Sequence, residues 1–335
     1  MTHAAASHGR ICLLGDHCDW AGGASLVMPL AQLQTHVRFV PDGGQVLDVS
    51  SPCGDRPVQS RYALPIAADG WTDSADPLRY VAAVAASLEE RGFSLSGGQL
   101  SIQSNLPIGK GFSSSAALCV SVARALVGPT GQNLDNEAAA RVAYEAERVR
   151  VGVACGLMDQ LACAFDRPLL LEWDSDPIGI QPLQLGAQFH FVAGAFHVHG
   201  SAPHILSDFS RHHADPQPTD VAEAARACIA EWGELAHSGA KALMSGEVEV
   251  VGRAMWRTQE LYSTEIAPRI PSMAAPALES VCTSLRDAGA VGAKFTGAGG
   301  DRSVIALGES REHAEALRDR MVAQGLSAWN VTIGG

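Results

Sequence analysis

Apolar and polar positions partly alternate in "RICLLG" (10–15) and "QLSIQSN" (99–105), so short strands are predicted within 9–40 and at 99–105. From Ser115 to Val127 the spacing becomes helical. The following "DNEAAARVAYEAERVRVG" carries acids early and arginines late, the order that suits a helix dipole. A third helix is predicted over 155–165, stopped by "DRP". Beyond "PLLLEWDSDP" the chain gives a strand-like "QFHFVAGAF" and then mixes two patterns. "TDVAEAARACIAEWGELAHSG" and "IPSMAAPALESVCTSLRDAG" are helical, while "VGAKFT", "RSVIAL" and "SAWNVTI" are extended. Strands and helices mix without strict βαβ repetition, which favours an α+β fold over a doubly wound sheet. The turn residues of "WDSDPIG" place a boundary at 174–179 and two lobes at 1–176 and 177–335. No internal repeat is present, and the one polar low-complexity loop is "HADPQPTD".

A chain of 335 residues has the length for two lobes. With 47% hydrophobic but only 6% aromatic residues, its core has to be built from Ala, Val, Leu and Ile, which suits layered helices and sheets. Against 36 acidic residues stand 24 Lys and Arg, a net charge of −12, and there is no basic run, so a nucleic-acid partner is not expected. The eight cysteines are scattered without CxxC spacing and read as reduced, buried small hydrophobes of a cytoplasmic protein. The first residues lack the charged and apolar regions of a leader, and no apolar run is long enough to span a bilayer, so no membrane attachment is expected.

Three stretches carry candidate chemistry. In "LPIGKGFSSSAAL" (106–118) Lys110 is followed by Gly111, which fails GxxxxGK[ST], and Ser114 stands where GxGxxG needs glycine. What remains is a Gly-rich turn leading into serines at a helix N-terminus, where free N–H groups and the helix dipole attract anions and a hydroxyl can ligate magnesium. Ser-rich helix starts are also common without any ligand. In "GRICLLGDHCDWAGG" (9–23) a strand leads to Asp16, His17 and Asp19, with Arg10 at its other end. Such a loop is either plainly solvated or a set of acceptors for sugar hydroxyls. "GAKFTGAGGDRSVIAL" (292–307) reads either as a tight turn between two strands or as a second backbone loop over phosphates.

Together these stretches resemble the GHMP small-molecule kinases, with the galactokinase branch nearest. The second stretch is similar to that branch's sugar signature, "PIGKGFSSSA" to the family's phosphate loop, and the third to its C-terminal glycine motif. "ACGLMDQLACAF" (154–165) is similar to the segment carrying the catalytic aspartate. The resemblance implies a two-lobed GHMP kinase fold, with a ribosomal-S5-domain-2-like N-terminal lobe and a ferredoxin-like C-terminal lobe closing a cleft. It also implies ATP and Mg²⁺, and phosphoryl transfer to an anomeric hydroxyl. Pro107, Gly109, Lys110, Gly111, Phe112, Ser113, Ser114, Ser115 and Ala116, with Gly297 and Gly299, would bind the nucleotide. Ser115, or Ser114 in its place, and Glu147 would hold the metal, both being hard oxygen ligands. Asp159 would act on the sugar hydroxyl as base or orienting carboxylate. Arg10 would lie close by, pairing with Asp159 and stabilising charge on the transferred group. Asp16, His17, Asp19 and Phe209 would bind the sugar.

The sugar signature departs from the galactokinase pattern. Gly-Glu-His-Thr-Asp-Tyr becomes "GDHCDW", and Phe209 takes the place of a sugar-binding tyrosine. A site built for given hydroxyls rejects analogues that leave its groups unpaired, so the expected acceptor is not galactose but another sugar, a heptose or octose among them. Rival readings are galactokinase proper, a GHMP kinase acting on another hydroxyl or an amino alcohol, and a sugar- and ATP-binding sensor without turnover. Five histidines between 197 and 213 read as a polar helix flank rather than a zinc site, with His199 and His204 as candidate substrate contacts. Trp20 could stack on a sugar face, and Trp71 is either an adenine neighbour or a plain loop residue.

Overall fold

The computed structural model describes residues 1–53, 56–67, 71–72, 74–197 and 202–334. They form two compact units that are not consecutive halves. Met1–Arg10, Gln32–Ile108 and Ser113–Asp166 make the first, while Ile11–Ala31, Gly109–Phe112 and Arg167–Gly335 make the second. The expected single cut at 176/177 therefore gives way to an interleaved division. Strands β1 (His3–Leu14) and β2 (Ala24–Pro41), joined through the short helical turn α1 (Cys18–Ala21), contribute residues to both units. Long strands of this kind defeat a boundary drawn from turn residues alone.

In the first unit the C-terminal half of β2 lies antiparallel to β5 (Gly98–Ser104). β3 (Val46–Cys53) runs parallel to β5 and antiparallel to β4 (Arg56–Ala63). Burial alternates along β5, as expected for a sheet with one covered and one wet face. Four helices fill the rest of the unit: α2 (Arg79–Glu90), α3 (Ser114–Val127), α4 (Asn136–Tyr144) and α5 (Met158–Phe165). The Ser121 hydroxyl donates to the Thr35 carbonyl at 3.1 Å, tying α3 to β2. β3, β4 and α2 stand where the hydrophobic pattern predicts no element. Val81 to Leu88 are buried without interruption and only Ser87 among them is polar, so the stretch is a short apolar run that fits strand or helix equally.

Two helical expectations need correction. α4 is capped by Asp135, whose side chain accepts from Ala138 N at 2.7 Å, but it ends at Tyr144, and Glu145–Val151 continue as a π-helical run. α5 begins at Met158 rather than at 155, because the segment ahead of it makes turn bonds such as Val153 N to Glu147 O at 2.8 Å.

In the second unit β6 (Leu169–Glu172) pairs antiparallel with the start of β2 and with β7 (Gly179–Pro182). A separate antiparallel sheet has the order β11-β8-β10-β9, from β8 (Phe189–Ala195), β9 (Gly292–Phe295), β10 (Ser303–Gly308) and β11 (Ser327–Ile333). Its helices are α6 (Ala202–His213), α7 (Asp220–Ser245), α8 (Val248–Leu261), α9 (Pro276–Asp287) and α10 (Arg311–Ala323). Thr219 caps α7 and Ser310 caps α10 through their hydroxyls, and Gly246 ends α7 in the left-handed conformation. The core gathers Trp232, Tyr262, Phe295, Met255 and Leu317, all fully buried. Among the described residues no helix is long and apolar enough to cross a membrane.

α8 and β9 meet through glycines. A Cβ on Gly252 would lie 2.2 Å from the Val291 carbonyl oxygen. Alanine gains helix propensity of up to ~1 kcal/mol, but backbone cannot yield as a side chain would. Gly252→Ala is therefore expected to destabilise the protein by about 1–3 kcal/mol, read as a lower urea midpoint at unchanged slope.

Candidate functional site

In the first unit, β1 carries Arg10 and the first turn of α5 carries Asp159. Arg10 is 4% exposed, and its Nε and Nη2 both donate to Asp159 Oδ1, at 2.9 and 2.5 Å. The Asp159 side chain keeps 28% exposure, so a buried cation is paired with a carboxylate that solvent or a ligand can reach. Glu147 sits on the π-helical run, a backbone irregularity that recurs at functional sites, and is 2% exposed. Burial pushes its carboxyl up to about 7. The Ser115 hydroxyl and the Gln160 amide, which bond to the charged form, oppose that rise, and nearby Asp159 adds to it. Gln160 Nε2 donates to Glu147 Oε2 at 2.6 Å.

Ser115 and Glu147, expected as metal ligands, are thus brought together in one unit, and as hard oxygen donors they fit a magnesium ion. Ser114 begins α3. Ser113 precedes it at φ 59°, and its buried hydroxyl makes no hydrogen bond among the described residues. An orphaned hydroxyl beside a helix N-terminus fits a phosphate group. Ala116 is buried in the first turn of the helix, and Pro107 is half-buried at the head of the loop.

The loop residues 109–112 group with the second unit. Gly109 and Gly111 have φ of +71° and +78°, conformations that only glycine takes without strain. The Lys110 ammonium donates to the Phe196 carbonyl at 2.8 Å, Arg302 donates to the Gly109 carbonyl, and the Ser303 hydroxyl donates to the Lys110 carbonyl. Phe112 packs edge-on against Trp329. Lys110, expected at the phosphates, therefore holds its own loop in place.

Asp16, expected to accept from a sugar hydroxyl, has no exposure. Its Oδ2 accepts from the Lys294 ammonium at 2.6 Å, and its Oδ1 accepts from Gly297 N at 2.7 Å. The sugar signature and the C-terminal glycine motif thus meet inside the second unit, through a buried ion pair. Gly299 is explained by packing as well: a Cβ there would come 2.9 Å from the Tyr262 ring. The Tyr262 hydroxyl accepts from Gly300 N and donates to the Met273 carbonyl.

Phe209, expected beside the sugar, is fully buried in the aromatic core. Its ring meets His17 at 4.8 Å and Trp20 at 5.7 Å, and Trp232 lies 6.2 Å from both His17, on which it stacks, and Phe209. Burial first, and Lys294 second, push His17 down to about 3 against the Ala298 backbone carbonyl, so the ring is neutral. Among the described residues, neither of its nitrogens reaches a partner at hydrogen-bond distance and angle, nor do the indole N–H groups of Trp20 and Trp232. Asp19 is half-buried on α1.

His204 is exposed on α6, and His199 lies outside the described residues. Among the described residues no three His, Cys, Asp or Glu side chains are grouped to hold a metal. Trp71 packs against Tyr62 and donates to the Ala67 carbonyl at 2.9 Å.

Gln160, Lys294 and Trp232 were not singled out from the sequence. Gln160 directly follows the aspartate of "GLMDQ", and Lys294 is a lone cation in an otherwise apolar strand. Both were visible signals.

The family model for the GHMP kinases N terminal domain matches residues 79–167, and that for the GHMP kinases C terminal matches 240–326, together more than half of the chain. Galactokinase of Thermotoga maritima is 32% identical over 185 residues, covering 53% of this chain and half of that relative's length. Galactokinase of Mycobacterium tuberculosis is 27% identical and covers 97% of this chain and 95% of its own. Among solved structures, Lactococcus lactis galactokinase complexed with galactose superposes with a TM-score of 0.82 at 18% identity, covering 100% of this chain and 94% of that one. L. major mevalonate kinase in complex with R-mevalonate gives 0.75 at 20%, covering 99% and 95%.

Two stability predictions follow from the second unit. Lys294→Met leaves Asp16 buried and unpaired, so it is expected to cost about 3–5 kcal/mol, and adding Asp16→Asn to recover part of that loss in a double-mutant cycle. His17 is neutral when folded but protonates in the unfolded chain below its ordinary 6.5. Its contribution is complete above pH 6.5 and is lost as pH falls toward 3, at about 1.4 kcal/mol per pH unit. Urea melts between pH 6.5 and 4 should show that much less slope in His17→Phe than in wild type.

Proposed function

The chain belongs to the GHMP kinase family, and on that premise we propose that it is an ATP-dependent sugar kinase that phosphorylates an anomeric hydroxyl, with galactose a poor acceptor. The observation that carries this reading is the Arg10–Asp159 pair. A buried guanidinium fixes a reachable carboxylate one residue from Gln160, which in turn bonds Glu147.

Phosphoryl transfer asks mainly for positioning and for neutralising charge. Asp159 orients the acceptor hydroxyl and takes its proton as the acceptor oxygen bonds the γ-phosphorus and the bond from that phosphorus to the departing ADP oxygen breaks. Arg10 holds the Asp159 carboxylate in one orientation and lends positive charge to the transferring group. Ser115 and Glu147 would hold magnesium, which when bound offsets the negative charge of the nucleotide's phosphates. The Ser113 hydroxyl and the N-terminus of α3 suit a phosphate oxygen. Localisation in the cytoplasm accords with reduced cysteines and with ATP as donor.

The choice of acceptor rests on two positions. At Asp16, where the resembling signature has glutamate, the side chain has no exposure and its oxygens accept from Lys294 and Gly297 N. At Phe209 there is no hydroxyl, and the ring is fully buried. A sugar that relies on polar partners at these two positions would leave its hydroxyls unpaired. A chain-extended sugar such as a heptose or octose brings further hydroxyls to compensate.

An ADP-release assay with Mg·ATP against pentoses to octoses tests this. A longer sugar should turn over at least about tenfold faster than galactose, and Asp159→Asn should lower turnover by about 10²–10⁴ with ATP affinity kept. Galactose as the best acceptor would refute the substrate assignment, and near-wild-type turnover in Asp159→Asn would refute the catalytic one. Sugar and ATP binding without turnover would favour a sensor.

A further inference from the structure

Gln160 lies in the first turn of α5 with no exposure, and its two ends have opposite fates. The Nε2 end donates to Glu147 Oε2 at 2.6 Å and lies 3.7 Å from Cys155 Sγ. The Oε1 end is buried and meets no donor among the described residues. With Glu147 ionised, as a metal ligand must be, this orientation of the amide follows from chemistry, because a carboxylate only accepts hydrogen bonds and is faced by the NH₂ group. Flipping the amide would set two acceptors against each other. A buried carbonyl without a donor is a cost that an apolar side chain would avoid, so packing alone does not account for glutamine here.

We propose that Gln160 is a positioning residue of the metal site, clamping Glu147 through Nε2 and offering Oε1 to a water carried by the magnesium ion. The inference rests on the reading that Ser115 and Glu147 hold that ion. Magnesium gives up its waters reluctantly and keeps several of them in protein sites, and each such water is a strong donor that needs an acceptor. With Gln160 Nε2 donating to Oε2 and the Ser115 hydroxyl also bonding the carboxylate, Glu147 is held in one orientation from which it would ligate the ion. Partners of this outer kind orient ligands and tune metal affinity.

The test is calorimetric titration of a non-hydrolysable ATP analogue, at a series of Mg²⁺ concentrations and in EDTA, into wild type, Gln160→Leu, Gln160→Met and Glu147→Gln. The Leu and Met variants should need about 10–100-fold more Mg²⁺ for half of the metal-dependent gain in affinity. Their affinity in EDTA should stay within about twofold of wild type, a split that a loss of general packing would not produce. Met keeps the chain length of Gln, so one soluble variant is secured if Leu disturbs folding. A wild-type Mg²⁺ requirement in both variants, with Glu147→Gln raised, overturns the role of Gln160 and leaves the metal reading standing. An unchanged requirement in Glu147→Gln overturns the metal reading itself. Equal loss in EDTA and in Mg²⁺ assigns Gln160 to packing and overturns the inference.

Discussion

The first unit places two carboxylates, Glu147 and Asp159, within an apolar helical layer, and much else there follows from keeping them there. Taking a carboxylate out of water is costly unless it is paired or hydrogen-bonded. Arg10 answers for Asp159, and Ser115 with Gln160 answers for Glu147. These partners come from β1, α3 and α5, elements far apart in sequence. The π-helical run that carries Glu147 and the early end of α4 set this cluster within α-helical surroundings. The same desolvation that makes the cluster expensive makes it useful, since charges in such a site act on a ligand with little screening.

The second unit uses similar physics to a different end. Asp16 and Lys294 are both without exposure, and the other oxygen of Asp16 accepts from the backbone of the glycine motif. Asp159 keeps over a quarter of its side chain open, whereas Asp16 keeps none. That contrast separates a carboxylate that solvent can reach from one whose oxygens accept from strand β9 and from the glycine motif inside the unit. His17 shares the burial without the pairing. It remains neutral among Phe209, Trp20 and Trp232, and its nitrogens make no hydrogen bond among the described residues.

The family, its mixed α and β fold and the segments that carry the charged residues were legible from motif order and from changes in hydrophobic period. The serines after "PIGKGF" do begin a helix, and "QFHFVAGAF" and "RSVIAL" are strands. What could not be read was set by tertiary context. α2 is buried on nearly all sides, and its short apolar run fits strand or helix equally. The π-helical run has the composition of an α-helix. Asp16 and Phe209 have residue types that suit a sugar site, and their partners in the fold, a lysine 278 positions away and an aromatic cluster, lie far off in sequence. Local pattern gives no warning of a partner that distant.

The central claim is that the carboxylate fixed by Arg10 directs phosphate onto an anomeric oxygen. The most direct measurement is ³¹P and ¹³C NMR of the product formed from Mg·ATP and an acceptor sugar labelled with ¹³C at its anomeric carbon. The account predicts ADP together with a sugar phosphate whose phosphorus couples to the labelled carbon. Phosphate on any other carbon, or ATP broken down only to ADP and inorganic phosphate, would contradict it.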